Sequence, residues 1–179
     1  MRTDYISNDF LHVFLWALTR ADRLICEISL QTGWRIDDIL ELTVTQLENA
    51  LKLKRPNIQI IEKKTGKKSR KQLPRQLLID CLSQAGELYI FQGRDDYRKH
   101  RTRQAVYLDI KRTAKKFNIK FNLSPHSMRK NYAVYMYNKY GLERTQKELN
   151  HDNALVTLLY ALSDEISAKH AKPSNSKKK

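Results

Sequence analysis

Cysteine is scarce, with only Cys26 and Cys81 in 179 residues. Two thiols cannot build the disulfide framework of a small secreted domain, and no Cys-x-x-Cys or paired Cys/His spacing suggests zinc. Both are expected to be core thiols. Long hydrophobic runs are also missing. A membrane span needs about 20 apolar residues, whereas the stretch 10–18 is shorter and is interrupted by His12, so no transmembrane helix is expected. The start, Met1-Arg2-Thr3-Asp4, carries an acid and lacks a small-residue cleavage site after an apolar run, which argues against a secretory signal and for a cytoplasmic protein. Acidic residues are in deficit. There are 19 Asp and Glu against 34 Lys and Arg, a formal charge of +15 and a pI near 9.9. Such a surplus implies a polyanionic partner, with nucleic acid the default, because Lys and Arg displace counterions from a phosphate backbone. The 41% hydrophobic and 9% aromatic content is enough for a core in one domain or a small pair, which excludes a wholly disordered chain.

Hydrophobic spacing predicts a mainly helical fold with a small antiparallel sheet (α+β). Phe10, Leu11, Phe14, Leu15 and Leu18 share one helical face after a cap at Ser7 or Asn8. Leu24, Ile25 and Ile28 form a second stripe ending at Thr32-Gly33, where glycine suits the left-handed residue beyond a helix. Ile36, Ile39 and Leu40 open a short helix, and 47–53 fits either a helical turn or an edge strand. A β-rich stretch at 57–61, a basic turn at 63–68 and a return strand at 69–73 make a hairpin. Pro74 suits a helix start ahead of Leu77, Leu78, Cys81 and Leu82. Val106, Ile110, Ala114 and Phe117 mark another helix. Ser124-Pro125 is a strong helix opening, cap then first residue, and that helix should end at Gly141. Short helices fit 143–149 and 154–162, and 169–179 reads as a basic, disordered tail. No repeat or linker divides 5–167.

Four patches stand out in order along the chain: Thr32-Gly33-Trp34-Arg35 with Asp38, the hairpin tip Lys64-Thr65-Gly66, His126-Ser127-Met128-Arg129, and Leu149-Asn150-His151 followed by Tyr160. Arg129 precedes His151 by 22 residues, and His151 precedes Tyr160 by nine. This ordered set resembles the catalytic domain of the tyrosine recombinases, the phage integrase family. The resemblance implies the family's catalytic-domain fold over 1–168. It also implies site-specific cleavage and rejoining of double-stranded DNA through a 3′-phosphotyrosine, self-assembly on paired sites, and no cofactor or metal. Two departures stand out. The family usually has glycine where Asn150 stands, and asparagine is the next most tolerant residue for a left-handed backbone. The family's amino-terminal DNA-clamping domain is absent ahead of residue 32, so a catalytic fragment and a compact single-domain enzyme are both consistent with the sequence.

The chemistry explains the residue types. Attack on a phosphodiester builds negative charge on the non-bridging oxygens, so fixed cations must face them. Arg35 and Arg129 suit that task because guanidinium is planar, always charged and able to bind two oxygens at once. His126 and His151 would add hydrogen bonds or move protons. Tyr160 would be the nucleophile, and its ordinary pKa near ~10 requires a cationic pocket to favour the phenolate. Lys64 on the hairpin would protonate the departing 5′ oxygen, with Lys63, Lys67 and Lys68 as competitors. Lys63, Lys67, Lys68 and Arg70 would face DNA. Asp38, one turn after Arg35, either orients the site or makes a surface ion pair. Trp34 is either core or DNA-facing. Tyr132, Tyr135, Tyr137 and Tyr140 share one helix and are expected to pack or stack. His12, His100 and His170 have no companion motif. Two rival functions remain, a catalytically idle DNA-binding regulator on the same scaffold and a type IB topoisomerase-like relaxase.

Overall fold

The computed structural model describes residues 8–120 and 122–150, with side chains from residue 10 onward. The expected helix at 154–162, the tail at 169–179, and His151, Tyr160 and His170 lie outside the described residues.

Seven helices and one hairpin are described, in the order α1 (Asn8–Ala17), α2 (Arg20–Thr32), α3 (Ile36–Leu40), α4 (Val44–Leu51), β1 (Asn57–Ile61), β2 (Lys68–Gln72), α5 (Arg75–Leu82), α6 (Arg103–Lys116) and α7 (Pro125–Glu148). α2 is the hub, packing against α1, α3, α5, α6 and α7. Its apolar stripe of Leu24, Ile25 and Ile28 is buried, and removing such side chains from water contributes roughly 1.5–3 kcal/mol each. Cys26 and Cys81 are free and buried in the same core. Burial pushes the Cys81 thiol up to about 12, consistent with packing and not reactivity. Among the described residues, no helix is long and apolar enough to cross a membrane.

Local chemistry sets the boundaries. α2 begins where the Thr19 hydroxyl accepts from the Asp22 amide, and ends at Gly33 with φ 70°. The stretch at 47–53 is helical through Leu51, because Thr43 and Gln46 form a reciprocal capping box just before it. Pro74 caps α5 instead of occupying its first turn. α7 opens with the Ser124 amide donating to the Ser127 hydroxyl at 3.2 Å and with Pro125 at its first position. Gly141, with φ 79° and ψ −179°, breaks α7 into the two helices that the spacing predicts.

The hairpin register runs from Asn57 opposite Gln72 to Ile61 opposite Lys68. Side chains alternate across a strand, so Ile58 and Ile60 face the core while Ile61 is 65% exposed. The next inward position is Glu62, just past the strand, and it is 1% exposed.

Candidate DNA strand-transfer site

Arg35 is placed by its neighbour. Trp34 is buried and donates its indole N–H to the Ser69 hydroxyl at 2.8 Å, and its backbone N–H donates to the Thr32 hydroxyl at 3.1 Å. Trp34 is therefore core. Anchored there, the chain presents Arg35 at the cap of α3, with its side chain 15% exposed. The Arg35 guanidinium pairs with the buried carboxylate of Glu62.

Asp38 does not make the surface ion pair that its spacing from Arg35 allows. It is 3% exposed, and its Oδ1 accepts the Lys63 amide at 2.9 Å. A carboxylate on α3 thus holds the base of the hairpin turn. Burial raises its pKa above the ordinary carboxylate value, the Lys63 amide opposes that rise, Glu62 adds to it, and Arg35 and Arg129 oppose it.

The hairpin turn is closed by two backbone bonds, Glu62 N–H to Lys67 O at 3.0 Å and Gly66 N–H to Glu62 O at 2.8 Å. Gly66 has φ 66°, which glycine adopts without penalty. Lys64 is exposed at this turn, as are Lys63, Lys67, Lys68 and Arg70. Lys63 pairs with Glu41, and Arg70 donates to Asn57 Oδ1 at 2.6 Å.

Arg129 sits in the opening turns of α7 and is 4% exposed. One guanidinium nitrogen donates to the Gly33 carbonyl, and the other donates to the Leu149 carbonyl at 2.8 Å. This one side chain joins three of the four sequence patches. His126, one turn earlier, has Nε2 3.4 Å from Arg103 Nη2. Guanidinium can only donate, so that ring nitrogen accepts and the imidazole there is neutral. Its pKa is lowered from the ordinary histidine value, first by burial and then by Arg103 and Arg129; Asp37 opposes the shift and Arg35 adds to it. Asn150 has φ 52°, the left-handed conformation expected where the family usually has glycine.

Arg35, Asp38, His126 and Arg129 therefore lie close enough to act on one another electrostatically, with the exposed hairpin lysines beside them. Three further participants carry no motif. Glu62 accepts from Arg35, from Thr65 at 3.2 Å and from Asn150 at 2.6 Å. The inward alternation of Ile58, Ile60 and Glu62 is the signal that finds it. Arg103 bridges His126 and Asp37, the latter at 3.5 Å. Lys71 binds the Glu148 carboxylate and its carbonyl, the latter at 3.2 Å. No local pattern marks either of these last two. Of the α7 tyrosines, Tyr132 is buried, whereas Tyr135 and Tyr140 are exposed and stack with Lys139 and Arg144.

The described residues thus form a helical domain in which a basic hairpin lies beside two arginines and a histidine. The model of the phage integrase family matches residues 10–165, and the chain belongs to that family. Comparison with curated proteins gives no match. Among solved structures, XerA recombinase aligns with a TM-score of 0.68 at 18% identity, over 96% of this chain and 67% of that one. XerH site-specific recombinase, bound to its palindromic difH substrate in a post-cleavage complex, aligns with a TM-score of 0.66 at 20% identity, over 94% of this chain and 52% of that one. A lambda integrase dimer bound to a COC' core site aligns with a TM-score of 0.73 at 16% identity, over all of this chain and 52% of that one. The chain thus has the catalytic-domain fold of the tyrosine recombinases and spans about half the length of XerH and lambda integrase.

Proposed function

We propose that this chain is the catalytic domain of a site-specific tyrosine recombinase, which cleaves and rejoins double-stranded DNA while assembled on paired sites. The observation that carries the reading is the convergence of Arg35, His126 and Arg129 beside an exposed lysine hairpin, in a chain of the phage integrase family. The DNA-bound states of XerH and lambda integrase support it by analogy.

In this reading Tyr160 Oη attacks the scissile phosphorus, the bond to the 5′ oxygen breaks, and a 3′-phosphotyrosine forms with no change in oxidation state. Arg35 and Arg129 neutralise the charge that grows on the non-bridging oxygens. A neutral His126 donates through the ring nitrogen that does not face Arg103. The phenol proton passes to solvent water as Tyr160 attacks, and Lys64 delivers a proton to the departing 5′ oxygen. The 5′ hydroxyl of a second strand then attacks the phosphotyrosine and regenerates Tyr160. His151 joins the phosphate-binding set.

The test is a covalent protein–DNA adduct. Supercoiled DNA carrying the gene's flanking sequence is incubated with the protein in EDTA and denatured in SDS, in parallel with Tyr160→Phe. An adduct that survives SDS and disappears in the variant supports the proposal. Salt-sensitive binding without an adduct points to an idle DNA-binding scaffold, and relaxation of one duplex without strand transfer between two points to a topoisomerase-like enzyme. A substrate with sulfur at the 5′ bridging position needs no proton on its leaving group and should rescue Lys64→Ala. Failure of that rescue transfers the general-acid role to Lys63 or Lys67.

A further inference from the structure

Glu62 lies at the meeting point of three segments distant in sequence. The carboxylate is buried at the end of the inward-facing row of β1, inside a run that continues with four lysines at 63, 64, 67 and 68. Oε2 receives the Arg35 guanidinium and the Thr65 hydroxyl of the hairpin turn. Oε1 receives the Asn150 amide at 2.6 Å. One carboxylate therefore ties together the first arginine, the turn that carries Lys64, and the last residue before His151.

The turn at 148–150 is held from two other directions as well. Lys71 binds the carboxylate and carbonyl of Glu148, and Arg129 binds the carbonyl of Leu149. The Asn150 backbone N–H also donates to the Lys147 carbonyl at 3.2 Å, so the backbone of the turn is anchored at α7, and the bond to Glu62 is what ties it to the hairpin and Arg35. The Asn150 side chain thus does more than tolerate φ 52°: it supplies a donor that glycine lacks.

We propose that Glu62 is a positioning residue, which through Arg35 and Asn150 holds the phosphate-facing arginine and the chain entering His151 in one frame. This rests on the recombinase reading above. Glu62 touches no reacting atom. Its effect runs through geometry, and misplacement by about 1 Å can lower a rate by about 10²-fold.

The polarity of the bonds supplies the test. A carboxylate accepts from both sides, whereas an amide has one accepting oxygen and one donating nitrogen. In Glu62→Gln the amide cannot accept from Arg35 and Asn150 together, so adduct formation on a suicide DNA substrate should slow by about 10²-fold, with DNA affinity within about threefold. In the double variant Glu62→Gln with Asn150→Asp, the new amide can accept from Arg35 and donate to the new carboxylate. That swap should recover at least about tenfold of the lost rate, a rescue that a merely structural role does not produce. Asn150→Gly keeps a residue at ease with positive φ and removes only the donor, so it decides the question if Glu62→Gln fails to fold. It should slow adduct formation by about tenfold with little change in Tm. Parental rates in Glu62→Gln or Asn150→Gly, or a double variant no better than the Glu62→Gln chain, overturn the proposal while leaving the recombinase reading intact. Absence of adduct in the parent chain overturns both.

Discussion

Exchanging each arginine for lysine separates what the two arginines do for the fold from the phosphate binding proposed for them. Arg129 is 4% exposed and spans two backbone carbonyls, Gly33 and Leu149, through different nitrogens. A lysine ammonium is a single point on a shorter reach and cannot bridge both. One charge-assisted bond is lost and a buried carbonyl is left unpaired, at a cost of about 2 kcal/mol. For a chain of this size each kcal/mol lowers Tm by about 2–4 °C, so Arg129→Lys should melt about 4–8 °C below the parent. Arg35 is different, because its side chain is 15% exposed and pairs with Glu62. An ammonium can keep that pairing, so Arg35→Lys should shift Tm by less than about 3 °C. Both variants lose bidentate phosphate binding, and cleavage should fall by about 10²–10³-fold in each. Thermal unfolding followed by far-ultraviolet circular dichroism reads the first quantity, and single-turnover adduct formation reads the second. Equal Tm shifts in the two variants would refute the bridging role of Arg129. Cleavage retained in either would remove that arginine from the phosphate clamp.

Arg103→Ala should raise the His126 pKa toward the ordinary histidine value, because Arg103 is the largest of the charges that lower it; imidazole titration by NMR reads the shift, and an unmoved midpoint refutes the contact. Asp38 has a raised folded pKa, so the stability it contributes is complete below the ordinary carboxylate range and is lost as pH rises through the folded value. Asp38→Asn keeps an acceptor for the Lys63 amide and should gain stability relative to the parent as pH rises above the ordinary carboxylate range, read from urea midpoints; a difference that stays flat or falls with pH contradicts the burial argument. At Gly33, φ is 70° and an added Cβ would lie 2.3 Å from a ring carbon of Tyr132, so Gly33→Ala should cost at least about 3 kcal/mol, from left-handed strain and overpacking together. Adding Tyr132→Ala should relieve the overpacking but not the left-handed strain, and a Gly33→Ala melting curve equal to the parent's would refute both contributions.

Much of the fold was legible because its signals are local. The Leu24, Ile25 and Ile28 stripe, the Gly33 and Gly141 interruptions and the 57–61 hairpin strand each depend on neighbours a few residues away. The stretch at 47–53 was ambiguous because within it only Leu47 and Ala50 are buried, while Leu53 is exposed. The deciding capping box, Thr43 with Gln46, lies just upstream. Asp38 was ambiguous for the opposite reason. Its spacing from Arg35 is helical, yet its partner is a backbone amide 25 residues away. The patches that define the site were visible as an ordered set, but the contacts that join them were not. Arg129 reaches Gly33 across 96 residues and Leu149 across 20, and Asn150 reaches Glu62 across 88. No periodicity encodes such pairs.

These long-range bonds give the site an order of rigidity. The backbone around Gly33, Leu149 and Asn150 is fixed by buried charged donors and acceptors, whereas Lys64 is exposed on a six-residue turn whose base is tied by Asp38 to the Lys63 amide and whose interior is braced by Thr65, between Glu62 and the Lys67 amide. Stabilising a transition state requires fixed dipoles, since a group that must reorganise gives back what it gains. Proton delivery to a leaving group requires reach, and an exposed turn can supply it. In the recombinase reading the division follows from burial: Arg129 is buried and the Arg35 side chain is 15% exposed, whereas Lys63, Lys64, Lys67 and Lys68 are exposed where they can follow a DNA backbone. Cross-linking the 62–67 turn to α3 tests this division, since it should slow cleavage of a natural phosphodiester yet leave cleavage of the 5′ sulfur substrate nearly unchanged. Equal slowing of the two would show that the hairpin positions the phosphate and does more than carry a proton.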